Sequence, residues 1–513
     1  MRVDTATLTR IFRPEMNTIH AYSLPTLAFS FMLAVPFSPG EALRPGDRAL
    51  PGLEPSLDLS YAAPTGTTQV TVRHSESMWV DEYAMAHTDS LWRISLPALG
   101  WEHGHYHFKF MVDGEWEEGP NRYAYVGTNG LLQRPPARYL TWQRDPTTTM
   151  TVHWHGDAKE DPSFVDYRRT GESRWLTSTG FSVNLPDTPR FVHTVELTGL
   201  TPGSDYEFRL PMAGEVFWFR TLPARLEHPL RFVEGGDVYE VGGLMDMMNR
   251  MAGALDPAFA VIGGDLAYTD GLPERAQRWY RYMASFTENL VAPDGRMIPV
   301  ILAIGNHEVQ RNYVESHPDY RPGPAWRQQV APQFFKLFSF PGHPGYGVLD
   351  IGDYLSFIAL DTHHANPVDG EQLEWLRARL AERKGIPHLF PIYHVPAYPS
   401  VRSPYDTRAT LIRQLWVPLF EEAGIHLAFE HHDHAFKITY PMKSGKVDPD
   451  GIVFVGDGAW GVNVRIPNVH PAQAAYLRKA MPINHLFEIT LTPSNRLIRA
   501  LDINGTVLDQ FIQ

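Results

Sequence analysis

FAVIGGDLAYTDG, residues 259–271, is the stretch that decides the fold. Four apolar residues run into two glycines and then into Asp265 and Tyr268. A short apolar run closed by turn residues reads as a buried strand. The arrangement recurs. RFVEGGDVYE (231–240) places Asp237 after such a run, and VILAIGNHE (300–308) places Asn306, His307 and Glu308. LFPIYHVPAY (389–398) places His394, IHLAFEHHDH (425–434) places His431, His432, Asp433 and His434, and GIVFVGDG (451–458) is a sixth run. Helical stretches lie between the later runs, EQLEWLRARLAERK (371–384) and TRATLIRQLWVPLFEEAG (407–424). Strands alternating with helices predict an α/β sheet. The carboxyl ends of such strands share one edge, where ligands bind, so the five polar clusters are expected to converge on one cleft.

The cleft gathers carboxylates, an amide, a phenol and several imidazoles. The chain of 513 residues has no cysteine, which excludes disulfides, thiolate metal sites and cysteine nucleophiles. The inventory therefore suits two hard or borderline cations that share a bridging carboxylate. Such a pair clamps the attacking and leaving oxygens of a displacement at phosphorus. Each block alone is weak, because a Gly-Asp after a strand is usually a turn and His-x-His is often a surface pair. Five blocks in order, each after a strand, carry the argument. Lys plus Arg number 45 and Asp plus Glu 58, a net charge of −13 without a basic block, which argues against nucleic acid as a partner.

Outward from this segment the patterns are β-rich. Residues 55–132 alternate with period two: Val70 and Val72, then Tyr106, Phe108, Phe110 and Val112 before an Asp113-Gly114 turn. YHFKFMVDGEWEEGP (106–120) resembles early-set, glycogen-binding-like sandwich modules. That resemblance makes Trp79, Trp92, Trp101 and Trp116 candidates for glycan contact, against the alternative that they fill a small core. Residues 135–223 open with YLTWQRDPTTTMTVHW, and Leu200 to Gly203 lead to a tyrosine corner at Tyr206. This unit resembles a fibronectin type III sandwich, with His153 and His155 expected at its surface. Residues 228–513 form the motif-bearing segment, closed by a hairpin at Asn504-Gly505. At the other end, LPTLAFSFMLAVPF (24–37) is too short to span a bilayer and resembles a signal-peptide core. Residues 1–50 are therefore set apart as a signal or disordered segment, export to a periplasmic or extracellular space is expected, and no integral membrane span is expected.

The ordered blocks resemble the metallophosphoesterase (calcineurin-like) superfamily, in its purple acid phosphatase branch. The resemblance implies a four-layer α/β sandwich behind two N-terminal β-sandwiches. It implies that Asp237, Asp265, Tyr268 and His434 hold a first metal, that Asp265 bridges, and that Asn306, His394 and His432 hold a second. His307 would stand unligated beside the substrate, stabilising phosphoryl oxygens or protonating the leaving group. A phenolate at Tyr268 implies iron in the first site, with zinc, manganese or iron in the second. The implied activity is a phosphomonoesterase acting on a small phosphate ester by direct attack of a metal-bound hydroxide. The alternative is a phosphodiesterase or nucleotide-cleaving enzyme on the same scaffold. A different class, a glycan-binding surface protein with a dead catalytic domain, predicts lost ligands, and all are present.

Two positions depart from the family pattern. Tyr239 stands where the branch has glycine, and would crowd or ligate the first metal or point into its loop. His431 takes the glycine position of Gly-His-x-His, and would strain the backbone or line the pocket. Further pocket candidates are His363 and His364, against a solvated loop, and Glu308, against a helix-start residue. Asp433 should point away from the metals by alternation. Asp270 and Gly271 read as a turn.

Overall fold

The apolar runs that carry the motifs fall into two sheets stacked face to face. A computed structural model describes residues 56–513, apart from 119–121, 212–213, 240–242, 322 and 469–473. The expected leader at 24–37 lies outside the described residues. In the first sheet Val300–Leu302, Ala260–Ile262 and Leu230–Gly235 run parallel, and His485–Leu491, Arg496–Asp502 and Val507–Ile512 continue it antiparallel. In the second, Leu355–Leu360, His388–Tyr393, Leu427–Glu430 and Val453–Gly456 run parallel between antiparallel flanking strands.

Period-two alternation explains why these strands read as unbroken apolar runs: both faces are covered. Phe232, Phe259, Phe357, Phe390 and Phe429 meet between the sheets, with Phe232 5.0 Å from Phe259 and 5.4 Å from Phe357. Their chain neighbours face outward. Val233 and Ala260 pack under the helices Leu244–Ala254 and Arg278–Asn289, through Met245, Met248 and Met283. Ile358 and Leu360 pack under Glu371–Ala381 and Thr407–Leu415, through Leu376, Leu380 and Ile412. The result is four layers, helix–sheet–sheet–helix. The helix expected over 407–424 is two, Thr407–Leu415 and Val417–Glu422, because Pro418 has no N–H to continue the ladder and starts a new first turn.

Ahead of these layers stand two β-rich units. Two four-stranded sheets, spanning Arg138–Thr141 to Phe217–Arg220, enclose Val152, Val195, Phe208 and Phe219. At the expected corner, the N–H of Thr201 donates to the Tyr206 hydroxyl at 2.8 Å. The apolar core runs on without a break, and Trp142 meets Phe259, next to the Ala260–Ile262 strand of the first sheet, edge-on at 6.1 Å. This continuity corrects one expectation. His153 and His155 are 1% and 2% exposed, not surface residues. Alternation sends them to the face opposite Val152, but that face is covered as well. His153 stacks on Tyr139 at 4.8 Å, and the Tyr139 hydroxyl donates to the carbonyl of Leu337 in the motif-bearing segment.

In the first unit Val70, Val72, Tyr106, Phe108 and Phe110 form the buried stripe. The four tryptophans divide. Trp101 lies in the core, stacked 4.4 Å from Tyr106, and Trp92 is half-buried against it. Trp79 and Trp116 meet edge-on at 6.2 Å near the surface, and Trp116 is 45% exposed. The opposite face of this sheet rests on the Arg278–Asn289 helix, where the Tyr125 hydroxyl donates to Glu288 and His103 lies 3.7 Å from the same carboxylate. Among the described residues no helix is long and apolar enough to cross a membrane.

Candidate metal centre

Two groups of side chains meet at the carboxyl edge of the parallel strands and share Asp265. Asp265, His394 and His432 form one, and Asp237, Asp265 and His434 the other, each with its ligand atoms within 4.8 Å of one another. Tyr268 joins the second group, its hydroxyl 3.2 Å from both Asp237 Oδ1 and His434 Nε2. Asn306 joins the first, with Oδ1 3.2 Å from His394 Nε2. All seven sequence candidates for metal ligands are therefore brought together.

The donor set fits a pair of cations on grounds of lone pairs alone. The outer nitrogens of His394 and His434 face the carbonyls of Gly263 and Asn463, which only accept, so each Nδ1 carries the proton and each Nε2 turns a lone pair inward. There His394 Nε2 meets Asp265 Oδ2 at 3.0 Å, Asn306 Oδ1 at 3.2 Å and His432 Nδ1 at 3.1 Å. With His394 neutral these are acceptors facing acceptors, and positive charge at that point, a proton on Nε2 or a bound cation, resolves the conflict. The electrostatics agree. Burial alone would lower His394, but the charges of Asp265 and Asp237 outweigh it and push it up to about 9. Burial, together with the carboxylates of Asp237 and Asp265, holds the Tyr268 phenol well above its ordinary range, so its anionic form needs a positive partner.

The backbone is bent to aim these groups. Asp237, Asp265, Tyr268, His432 and His434 all have positive φ, between 53° and 80°. Such outliers persist only where surrounding structure fixes them, and they cluster at functional sites. Glu308 is one clamp. Its carboxylate accepts the N–H groups of Asp265, Leu266 and Gly305, tying two ligand loops together. Arg278 donates to the carbonyl of Tyr268 at 2.7 Å. Gly458 is required by close approach, since a Cβ there would meet Asp237 Oδ2 at 1.7 Å.

His307 stands beside the ligands rather than among them. Its ring stacks on Tyr268 with centroids 4.2 Å apart, its Nε2 lies 3.9 Å from Asp265 Oδ2, and its side chain is 31% exposed. Its Nδ1 meets Asp270 Oδ1 at 2.5 Å, and Arg275 pairs with the other oxygen of Asp270. Asp270 is therefore more than the turn the sequence suggests: it orients His307. Its position five residues after Asp265, in the same loop, was the available signal.

The comparisons with known proteins agree with this geometry. Residues 135–221 match the purple acid phosphatase N-terminal domain family, and residues 231–436 match the calcineurin-like phosphoesterase family. Residues 135–221 and 231–436 thus carry the paired domains of the purple acid phosphatase branch of the metallophosphoesterases. It is similar to purple acid phosphatase 18 of Arabidopsis thaliana, 26% identical over 319 residues, 60% of this chain and 68% of the relative. It is also similar to an uncharacterised protein of Mycobacterium tuberculosis, 25% identical over 382 residues, 68% of each chain. Among solved structures, the purple acid phosphatase PPD1 from yellow lupin (Lupinus luteus) seeds superposes with a TM-score of 0.63 at 15% identity, covering 85% of this chain and 83% of its own. PhoD does so at 0.54 and 13% identity, covering 74% and 89%. The chain is a metal-dependent phosphoric ester hydrolase.

Within this metallophosphoesterase site several expected pocket residues lie elsewhere. Tyr239 neither crowds nor faces the ligands. It is buried toward the first β unit, its hydroxyl 3.5 Å from His107 Nε2 and its ring under Arg278. His431 is fully buried behind the ligand loop, with Nε2 2.5 Å from Glu234 and Nδ1 on the carbonyl of Tyr393. Its φ is not positive, so the feared strain is absent there. Its ring occupies space left by Gly263, whose added Cβ would meet the ring at 1.8 Å. Glu308 is the buried clamp and does not line a pocket. His364 is buried behind His394, 5.7 Å between ring centroids, and bonds to Thr362 and the Asn312 carbonyl. His363 is partly buried, its Nε2 3.3 Å from Glu315. Asp433 turns away, accepting the N–H groups of Val401 and Arg402.

Proposed function

We propose that this enzyme is a phosphomonoesterase with a two-cation centre, in which Asp237, Asp265, Tyr268 and His434 hold one cation and Asp265, Asn306, His394 and His432 the other. The observation that carries the reading is the ring of inward lone pairs shared at Asp265, with His307 poised beside it. Cations held there would polarise a phosphoryl oxygen and supply a water acidic enough to attack phosphorus near neutral pH. The chain's own groups do the rest. Asp270 fixes the His307 ring through Nδ1, which leaves Nε2 to hold a phosphoryl oxygen or pass a proton to the departing alcohol. The backbone N–H of His307 donates to Asp265 Oδ1 at 2.8 Å and so aligns the bridging carboxylate with the same residue. Tyr268 supports iron in the first position, with zinc, manganese or iron in the second.

The test compares kcat/KM for an aryl phosphate monoester and its diester on metal-loaded protein. The proposal expects the monoester to be preferred. Preference for the diester would move the assignment to a phosphodiesterase. Export, read from residues 24–37, is proposed with it, and the Trp79–Trp116 pair is the surface that favours glycan contact by the first unit. Failure of the full chain to bind insoluble α-glucan would remove that role.

A further inference from the structure

Two guanidinium groups converge on one carbonyl oxygen of the centre. The oxygen of His432 accepts from Arg402 Nη1 at 2.6 Å and from Arg465 Nη1 at 3.4 Å, so the two cationic groups are no further apart than those lengths together. Asp433 balances Arg402 at 2.7 Å. Among the described residues no carboxylate pairs with Arg465. It is exposed, yet held in place: its N–H donates to the carbonyl of His434 at 2.8 Å. Arg465 thus bonds to the backbone of both histidines of the His-x-His motif and, among the described residues, keeps an exposed positive charge without a carboxylate partner. Arg402 is 36% exposed at its side chain.

The wall around this point is built. Tyr313 places its hydroxyl 3.3 Å from His432 Nε2, and Arg408 lies over the Tyr313 ring at 3.8 Å. Arg408 is already neutralised by Glu315 and Asp406, so it completes the wall and adds no free charge. Asp433 offsets the charge of Arg402 but not that of Arg465 lying close to it, so the pair keeps a net positive charge that an arriving anion would meet. The planar fork of arginine matches phosphate and carboxylate oxygens.

We propose that Arg402 and Arg465 form an anion subsite on the His432 side of the centre, selecting phosphate esters whose alcohol carries a second phosphate or carboxylate. This rests on the phosphoesterase reading above and names its substrate class. The experiment measures kcat/KM for a sugar bisphosphate, the matching sugar monophosphate and phenyl phosphate, on the full metal-loaded chain. The wild type should favour the bisphosphate beyond its doubled number of ester groups, and added salt should erode that preference. Arg465→Gln should lower kcat/KM for the bisphosphate about tenfold more than for phenyl phosphate, mostly through KM, with Arg465→Lys recovering part of the loss. An equal loss on all three substrates, or no bisphosphate preference in the wild type, would overturn the subsite while leaving the phosphoesterase intact. Absence of phenyl phosphate turnover in the wild type would overturn the phosphoesterase reading, and the subsite with it.

Discussion

At the scale of single residues, His307 and Asp270 carry the sharpest expectation. The ring is stacked on Tyr268 and anchored at Nδ1, which leaves one nitrogen toward the substrate. His307→Ala should lower kcat by roughly 10²–10³, within the usual range for a lost acid–base group. Asp270→Asn should cost less, about tenfold, because the ring stays stacked but loses its anionic anchor. Both losses should be larger for an alkyl phosphate than for a nitrophenyl phosphate, whose leaving group needs no proton, and kinetics on the two esters checks this. Equal losses on both would remove the proton-transfer role. The proposed ligand residues stand out in the sequence because each follows an apolar run and offers chemistry that a core rejects. Asp270 was harder to read, since Asp-Gly is also a strong turn pair and its partner lies 37 residues on. His431 was misleading for a related reason. A histidine in a glycine slot reads as strain or as pocket, and only packing shows its ring filling the space beside Gly263.

At the scale of elements, strand order and strand ends do the positioning. The parallel strands deliver Asp237, Asp265, Asn306, His394 and the 431–434 cluster to one edge, and the alternation of apolar runs with helical stretches was enough to predict it. What periodicity does not show is how the loops are held. Beneath the ligand loops Lys437 is fully buried between Glu430 and Asp457, 2.5 and 2.7 Å away. Glu430 also takes the Tyr393 hydroxyl and the N–H of Ala397, and Asp457 the N–H of Ser400. Lys437→Met would leave two buried carboxylates facing each other without a cation. It should destabilise the fold by about 3–5 kcal/mol, seen as a lowered melting temperature; an unchanged melt would show the network to be dispensable. Gly458→Ala tests the loop directly. Its Cβ would collide with Asp237 Oδ2, so the variant should lose metal while its far-UV circular dichroism stays native. Full metal retention would contradict the close approach.

At the scale of the whole molecule, the second β unit and the catalytic layers share one core, and this has a consequence for pH. Burial lowers His153 from its ordinary 6.5 to about 3, so in the folded chain it stays neutral. The unfolded chain takes up that proton below about pH 6.5 and the folded one does not, so stability is complete above 6.5 and falls as the pH drops toward 3. At pH 5 this one residue should cost about 2 kcal/mol relative to neutral pH. Melting temperatures measured from pH 7.5 to 5 should fall, and His153→Gln should flatten the slope; an unchanged slope would deny that His153 is buried neutral. The sequence showed the two β units but not this seam, because period-two alternation says which residues share a face and not whether a neighbouring unit covers it.

The central claim is that the shared carboxylate of Asp265 organises two cations into one hydrolytic centre. The most direct measurement is elemental analysis beside aryl phosphate turnover, on the wild type and on Asp265→Asn. The account predicts about two metal ions per active wild-type chain, and in the variant fewer metal ions together with turnover reduced by orders of magnitude. Undiminished metal content and turnover in Asp265→Asn would contradict it.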